Sequence, residues 1–305
     1  MKIEFCGVRG SLPKPQSAEE ILARILAKAV DGSISTSALK KMAKEGSLAY
    51  GGNTSCVFIE AGAQKLVLDA GTGISRLNRR LEALPIDEPI HLLLTHLHWD
   101  HIQGLPFFTP LYQPGRQVNI YSSVAPELVE KACRHQWQRP YFPVPYEELK
   151  ATINFIDLKK SPKIGVFKIA AIPMCHPDAT FGYKVEAEGK TYAHFSDTEL
   201  LMLSGKLGEQ YKRFLQSVDF LTADAQFDIP EAQLHKGWGH SAIESFIELL
   251  KESKVKTLAM FHYNPQESEE KIDHLFKAAK KQLKVAIPDG STKLICAIEG
   301  QSHLL

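Results

Sequence analysis

The sequence predicts an α/β (α+β) chain in which two β-sheets pack face to face with helices on the outside. Three observations carry this expectation. Strand-like runs recur along the chain, and helical patterns fall between some of them without strict alternation. In addition, 44% of the 305 residues are hydrophobic, enough for a full-sized core. No internal repeat or low-complexity segment is visible, and one domain over residues 1–305 is expected.

In chain order, Lys2–Cys6 reads as a short alternating strand. Ser55–Glu60 and Lys65–Leu68 are strand runs joined by the turn Ala61-Gly62-Ala63, and the apolar run His91-Leu92-Leu93-Leu94 reads as a buried strand. Val118–Tyr121, Ile153–Ile156 and Phe167–Ala171 come next. Gly182–Ala187 and Lys190–His194 flank a tight turn at Glu188-Gly189, and Phe220–Ala223 and Thr257–Phe261 complete the strand series. Helical periodicity covers Ile74–Leu84, Pro126–Gln136, Ser241–Lys251 and Ser268–Leu283. A stretch at about 14–48 reads as a helical insertion. In it, Ser17-Ala18-Glu19-Glu20 is a capping-box pattern ahead of Ile21–Leu26, and a second helical pattern spans Ala38–Lys44 before Gly46. The insertion separates Gly7-Val8-Arg9-Gly10-Ser11 from Tyr50-Gly51-Gly52-Asn53-Thr54-Ser55; it can serve as a cap over an active site, a homodimer contact or surface decoration.

The formal net charge of +1 gives no global pull towards nucleic acid or membrane, so an anionic substrate has to be handled locally. Cys6, Cys56, Cys133, Cys175 and Cys296 are scattered and never form a C-x-x-C pair, the usage of reduced core thiols in a cytoplasmic protein. The opening residues lack a long apolar h-region, so no secretion signal is expected, and no uninterrupted apolar stretch reaches membrane-spanning length.

The most informative segment is Thr95-His96-Leu97-His98-Trp99-Asp100-His101, directly behind the buried run at 91–94. In extended chain His96 and His98 point the same way, offering two nitrogens to one metal ion. Asp100 and His101 follow where the chain turns, offering an oxygen and a nitrogen to a second ion close by.

This heptapeptide resembles the T-H-x-H-x-D-H motif of the metallo-β-lactamase superfamily. The resemblance implies an αββα sandwich of two mixed sheets, and further ligands at later strand ends. Candidates stand in the expected order: His176 in Pro173-Met174-Cys175-His176-Pro177, Asp197 in Ser196-Asp197-Thr198, and His262 after Thr257–Phe261. The resemblance assigns His96, His98 and His176 to one ion, Asp100, His101 and His262 to the other, and Asp197 as the bridge. Asp69, in Leu68-Asp69-Ala70-Gly71-Thr72-Gly73, matches the superfamily's first motif and is expected to accept hydrogen bonds that fix the ligand loops. The implied cofactors are two divalent ions; oxygen and nitrogen donors without thiolate suit Zn(2+), with manganese or iron compatible by ligand type. Two such ions, offset by Asp100, Asp197 and a bridging hydroxide, leave a small positive charge suited to a singly charged phosphodiester anion.

A second constellation narrows the chemistry. Phe220–Ala225 reads as a strand ending in Asp224, and Gly237-Trp238-Gly239-His240-Ser241-Ala242-Ile243-Glu244 opens a helix in which Ser241 and Glu244 form another capping-box pattern. It resembles the His-Ser-Thr motif of ribonuclease Z and the related cyclic-nucleotide phosphodiesterases, with Ala242 in place of the threonine. The implied catalytic residues are His240, Asp224 and Asp100. His240, oriented by Asp224, would protonate the leaving oxygen or hold phosphoryl oxygens while metal-bound hydroxide attacks. A small phosphodiester, a cyclic nucleotide above all, is the expected substrate. A long nucleic acid is disfavoured by the near-neutral charge, and by the twenty residues between His176 and Asp197, too few for a tRNA-gripping arm. The alternatives are a glyoxalase II-like thiolesterase, ribonuclease Z-like RNA processing and a non-catalytic nucleotide-binding protein. Arg134–Tyr146 interleaves bases and aromatics in a proline-stiffened loop that can stack a nucleobase, fill the core or meet a partner subunit.

Overall fold

The computed structural model describes the chain apart from residues 31, 33, 34, 46, 47, 203 and 204. The first sheet gathers β1 (Lys2–Gly7), β2 (Cys56–Ala61), β3 (Gln64–Leu68), β4 (Ile90–Leu94), β5 (Gln117–Ser122) and β6 (Thr152–Asp157). The second holds β7 (Lys163–Ile164), β8 (Phe167–Pro173), β9 (Phe181–Ala187), β10 (Lys190–Phe195), β11 (Phe220–Asp224), β12 (Thr257–Phe261) and β13 (Lys293–Cys296). β14 (Ser302–Leu304) returns to the first sheet beside β1, giving two seven-stranded sheets in the orders β14-β1-β2-β3-β4-β5-β6 and β13-β12-β11-β10-β9-β8-β7. Both are mixed: β3 to β6 and β10 to β13 run parallel, and the remaining neighbours are antiparallel.

The period-two pleat explains how the layers stack. Along β2, β3 and β4, Val57, Ile59, Leu66, Leu68 and Leu93 enter the cluster between the sheets, whereas Phe58, Val67, Leu92 and Leu94 face the other way. Across the inter-sheet seam the Phe5 ring lies 6.2 Å from that of Phe220 and 6.0 Å from that of Phe261.

Helices complete the outer layers. α1 (Ala18–Val30) and α2 (Thr36–Glu45) form the insertion; α3 (Asn78–Glu82), α4 (Trp99–Ile102) and α5 (Pro126–His135) share the outer cluster of the first sheet through Leu81, Ile102, Val129 and Cys133. α6 (Gly205–Phe214), α7 (Ile229–Leu234), α8 (Ile243–Leu250) and α9 (Glu269–Ala286) belong to the second half, where Phe246, Ile247, Ile272 and Ala279 join the larger core. The architecture is the αββα sandwich of the metallo-β-lactamase fold. Among the described residues, no helix is long and apolar enough to cross a membrane.

The insertion is anchored by charge. Arg24 of α1 lies 3.0 Å from Asp273 and 3.3 Å from Glu269, both on α9, and Glu269 also pairs with the fully buried Arg9 at 2.6 Å. Ser17 caps α1 by accepting the Glu20 N–H at 3.0 Å, while Leu22, Leu26 and Val30 stand exposed. Gly46, expected to end the second helix, lies outside the described residues.

The capping box expected at Ser241 and Glu244 is not formed. α8 begins at Ile243, its N-cap is Ala242, and no side chain caps it. Ser241 is diverted: its hydroxyl donates to the Thr198 carbonyl and accepts from the Leu200 N–H at 2.9 Å. A buried hydroxyl makes the bonds that tertiary neighbours offer. The box pattern that does form is at α7, where Asp228 and Glu231 bond each other's backbone N–H.

Candidate metal centre

The site lies where strands of both sheets end on the same edge. β4 runs into His96 and His98; β8 and β10, both antiparallel to β9, deliver His176 and Asp197; β11 and β12, parallel to β10, end at Asp224 and before His262. Asp69, Asp197 and His262 leave their strands in the left-handed region, at φ of 61°, 53° and 60°. Non-glycine residues avoid that region unless the surroundings compel it, and here the kinks stand at Asp197 and His262 of the donor groups and at Asp69, which holds His101.

Three donor groups result, each with its ligand atoms within 4.8 Å of one another: His96, His98 and His176; Asp100, His101, Asp197 and His262; and Asp224, His240 and His262. In the first, the ring centroids of the three histidines are 4.7, 5.0 and 4.8 Å apart. The far nitrogens are tied down: Thr95 Oγ1 is 3.0 Å from His96 Nδ1, Thr180 Oγ1 is 2.8 Å from His176 Nδ1, and Asp178 Oδ2 is 2.8 Å from His98 Nε2. His96 Nε2 and His176 Nε2 are buried without a hydrogen-bond partner among the described residues. Buried polar nitrogens left unpaired by the protein are what a cation would complete.

The second group is tighter. His262 Nε2 is 3.1 Å from Asp100 Oδ2 and 3.4 Å from Asp197 Oδ1; His101 Nε2 is 3.2 Å from Asp197 Oδ2 and 3.3 Å from His262 Nε2. Asp197 Oδ1 also lies 3.8 Å from His96 Nε2, which sets this carboxylate between the two groups. Asp69 bonds Thr95 through N–H and hydroxyl, accepts the Ser55 hydroxyl, and sits 2.8 Å from His101 Nδ1. Ser11 donates its N–H to Asp100 Oδ2 at 2.7 Å. Gly10 passes so close that a Cβ there would lie 2.4 Å from His262 Cε1, so only glycine fits.

The electrostatics follow from burial and sign. Burial holds His96 well below the usual imidazole range, the nearby His101 adding to the effect, and lowers His176 likewise. In the second group burial also works against charge, but opposite charges win. Asp197, Asp100 and Asp69 raise His101 well above its usual range, and Asp197 with Asp100 lifts His262 to about 9. His262 and His101 in turn hold Asp197 far below the ordinary carboxylate range, and His101 does the same for Asp100. Ionised carboxylates crowded at this edge therefore demand positive charge. The nitrogen and oxygen donor set fits a divalent ion in each of the two groups.

Beside them, Asp224 Oδ2 receives His240 Nδ1 at 2.9 Å and the Asp197 N–H at 3.1 Å, while Oδ1 receives the Gln226 and Ser241 N–H groups. Because an ionised carboxylate only accepts, Nδ1 of His240 carries the proton and Nε2 is left for other work. The turn ahead of it is packed tightly: a Cβ on Gly239, at φ 86°, would come 2.1 Å from His176 Cδ2.

A profile of the Beta-lactamase superfamily domain matches residues 64–263. The chain belongs to this superfamily. Among curated proteins similar to this chain, ribonuclease Z of Haloarcula marismortui is 27% identical over 143 residues, 45% of this chain and 43% of that protein, so the match spans less than half of that relative. Ribonuclease Z of Methanocaldococcus jannaschii is 23% identical over 272 residues, 72% of this chain and 83% of that one. Among solved structures, the metallo-beta-lactamase fold protein YhfI from Bacillus subtilis shares 16% identity at a TM-score of 0.65, over 99% of this chain and 98% of YhfI. A diphosphatase from the PhnP family shares 17% at 0.62, over 100% and 97%, and yeast PDE1 shares 12% at 0.62, over 100% and 99%. The structural likenesses establish the shared fold.

Every expected donor, with Asp69, Asp224 and His240, stands at this edge. The 134–146 segment does not behave as one open stacking surface: Trp137 is 3% exposed and donates to Tyr112 Oη, and Arg134 covers the Tyr146 ring at 3.9 Å. Of its Trp, Tyr and Phe rings, Tyr141 is the exposed one, at 84%, with His135 and Arg139 also exposed. Sequence reading gave no supporting role to Ser11, Asp178 or Thr180, and placed Thr95 in the heptapeptide without one. Nothing distinguishes Ser11, Asp178 and Thr180 from ordinary loop residues until the side chains they hold are located.

Proposed function

We propose that this chain is a dinuclear metal-dependent phosphodiesterase acting on a small anionic diester, in particular a cyclic nucleotide. His96, His98 and His176 would hold one ion, Asp100, His101 and His262 the other, and Asp197 would serve both. Two divalent ions, zinc by the chemistry of the donors, supply activation of water near neutral pH and neutralisation of phosphoryl charge. The protein's own part is positioning and proton transfer. Asp69 fixes the tautomer and direction of His101, and Thr95, Thr180 and Asp178 do the same for the three-histidine group. His240, its Nδ1–H held by Asp224, would in its doubly protonated imidazolium form carry a second proton on Nε2 and deliver that proton to the departing alkoxide oxygen.

One observation carries the reading: a single oxygen of Asp224 bonds both the Asp197 N–H and His240 Nδ1. The carboxylate between the donor groups and the proton donor are thus registered to each other. A thiolate leaving group hardly needs an acid, so the pairing favours an oxygen ester over a thiolester. RNA cleavage remains a second reading, favoured by the ribonuclease Z relatives. The test is turnover of metal-reconstituted protein on 3′,5′- and 2′,3′-cyclic nucleotides, bis(p-nitrophenyl) phosphate, S-lactoylglutathione and a precursor tRNA. Diester hydrolysis is expected; cleavage of the thiolester alone overturns the proposal, and cleavage of the tRNA alone replaces it with the second reading.

A further inference from the structure

We propose that Trp238 is a stacking subsite for a planar nucleobase carried by the substrate; this rests on the phosphodiesterase reading and specifies its substrate class. Trp238 is 61% exposed although its backbone is pinned on both sides. The N–H groups of Gly237 and Gly239 donate to the same oxygen of the buried Glu199, at 2.7 and 3.3 Å, and the Trp238 N–H donates to the His235 carbonyl. Both glycines are left-handed, at φ 89° and 86°, a conformation that sets the direction in which the residue between them leaves the turn.

The indole is also supported from the side. His235 lies 4.6 Å from it at 65° and is itself stacked on Phe227 at 4.8 Å and 14°. Phe227 in turn contacts His240 edge-on at 5.9 Å. An aromatic chain therefore runs from the proposed proton donor out to an exposed ring. The turn backbone meanwhile lies against His176, as the 2.1 Å approach to the missing Gly239 Cβ records. A phosphoryl group held between His176 and His240 would have the turn that carries the exposed Trp238 as its neighbour. A rigidly based, water-facing indole is the kind of platform on which any base stacks, because every base has a π-face.

The experiment compares wild type with Trp238→Ala, Trp238→Phe and, as a competitor site, Tyr141→Ala. The metal-loaded protein is assayed on 2′,3′-cyclic AMP and on ethylene phosphate, a cyclic diester without a base. In parallel, binding of adenosine 5′-monophosphate and ribose 5-phosphate is measured by calorimetry. Trp238→Ala is expected to lower kcat/KM for the nucleotide by roughly 10- to 100-fold, to leave ethylene phosphate unchanged, and to erase the affinity advantage of adenosine 5′-monophosphate over ribose 5-phosphate. Trp238→Phe restores most of both, and Tyr141→Ala changes neither. Equal loss on both diesters, an undiminished nucleotide advantage in Trp238→Ala, no such advantage in wild type, or a loss confined to Tyr141→Ala each overturns the subsite. If neither diester is cleaved while the nucleotide advantage still depends on Trp238, the subsite stands and the phosphodiesterase reading falls.

Discussion

The two donor groups on either side of Asp197 are built on opposite terms. The three-histidine group contains no carboxylate and is partly open: the His98 side chain is 41% exposed and its Asp178 support stands in solvent. The group of Asp100, His101 and His262 is sealed, rich in carboxylate, and held by the buried Asp69. An open nitrogen cage exchanges its ion readily and admits substrate. A sealed anionic cage retains its ion by charge, since the electrostatic attraction is strongest where water is excluded. The difference suggests a division of labour, one position exchangeable and accessible, the other permanent.

The largest effect expected is at the shared residue. Asp197→Ala should abolish turnover and reduce bound metal at both positions, as read by elemental analysis; retention of two ions per chain would remove Asp197 from its shared role. Next, His240→Ala should lower kcat on the order of 10²–10⁴-fold with metal content unchanged, and near-normal turnover would take it out of the mechanism. Weakening the support of the sealed group by Asp69→Asn should cost roughly 10- to 100-fold in metal affinity, with the Asp100, His101 and His262 position emptied first. If the three-histidine position empties first instead, the contrast between the groups is wrongly drawn. The mildest perturbation is a chelator titration of the wild type. It should remove one ion quickly and the second slowly, and His98→Ala should eliminate the fast phase; a single phase for both would break the comparison.

Much of this site was legible in the residues because metal chemistry restricts donors to a few side chains. His96, His98, Asp100 and His101 also fall close together in sequence, and the family resemblances singled out Asp197, Asp224 and His262 among the residues at later strand ends. The interior strands were legible for a similar reason, since residues buried on both faces read as apolar runs, as in His91–Leu94. β7, β13 and β14 were not: they are short edge or near-edge strands of two to four residues with too few positions to show a pattern. The Ser241–Glu244 pattern misled because a capping box is a local motif, and the Ser196–Leu200 loop made a better offer to the hydroxyl.

From its amino acids alone the chain offered the His96, His98, Asp100 and His101 cluster and the strand and helix pattern of the sandwich, and the resemblance carried by that cluster pointed to the remaining donor candidates. The cluster and the pattern depend on residue chemistry and on periodicities of two and 3.6, which are local. Only the tertiary structure decided which ordinary residues steady the donors and which aromatics face water. His98 meets Asp178 across 80 residues, Asp224 meets His240 across 16, and Glu199 meets Gly237 across 38. Trp137 and Trp238 are the same residue type, yet packing buries one and leaves the other exposed, two residues ahead of His240 in the chain. Hydrogen-bond partnership and exposure belong to the neighbours that folding supplies, and no short window of sequence contains them.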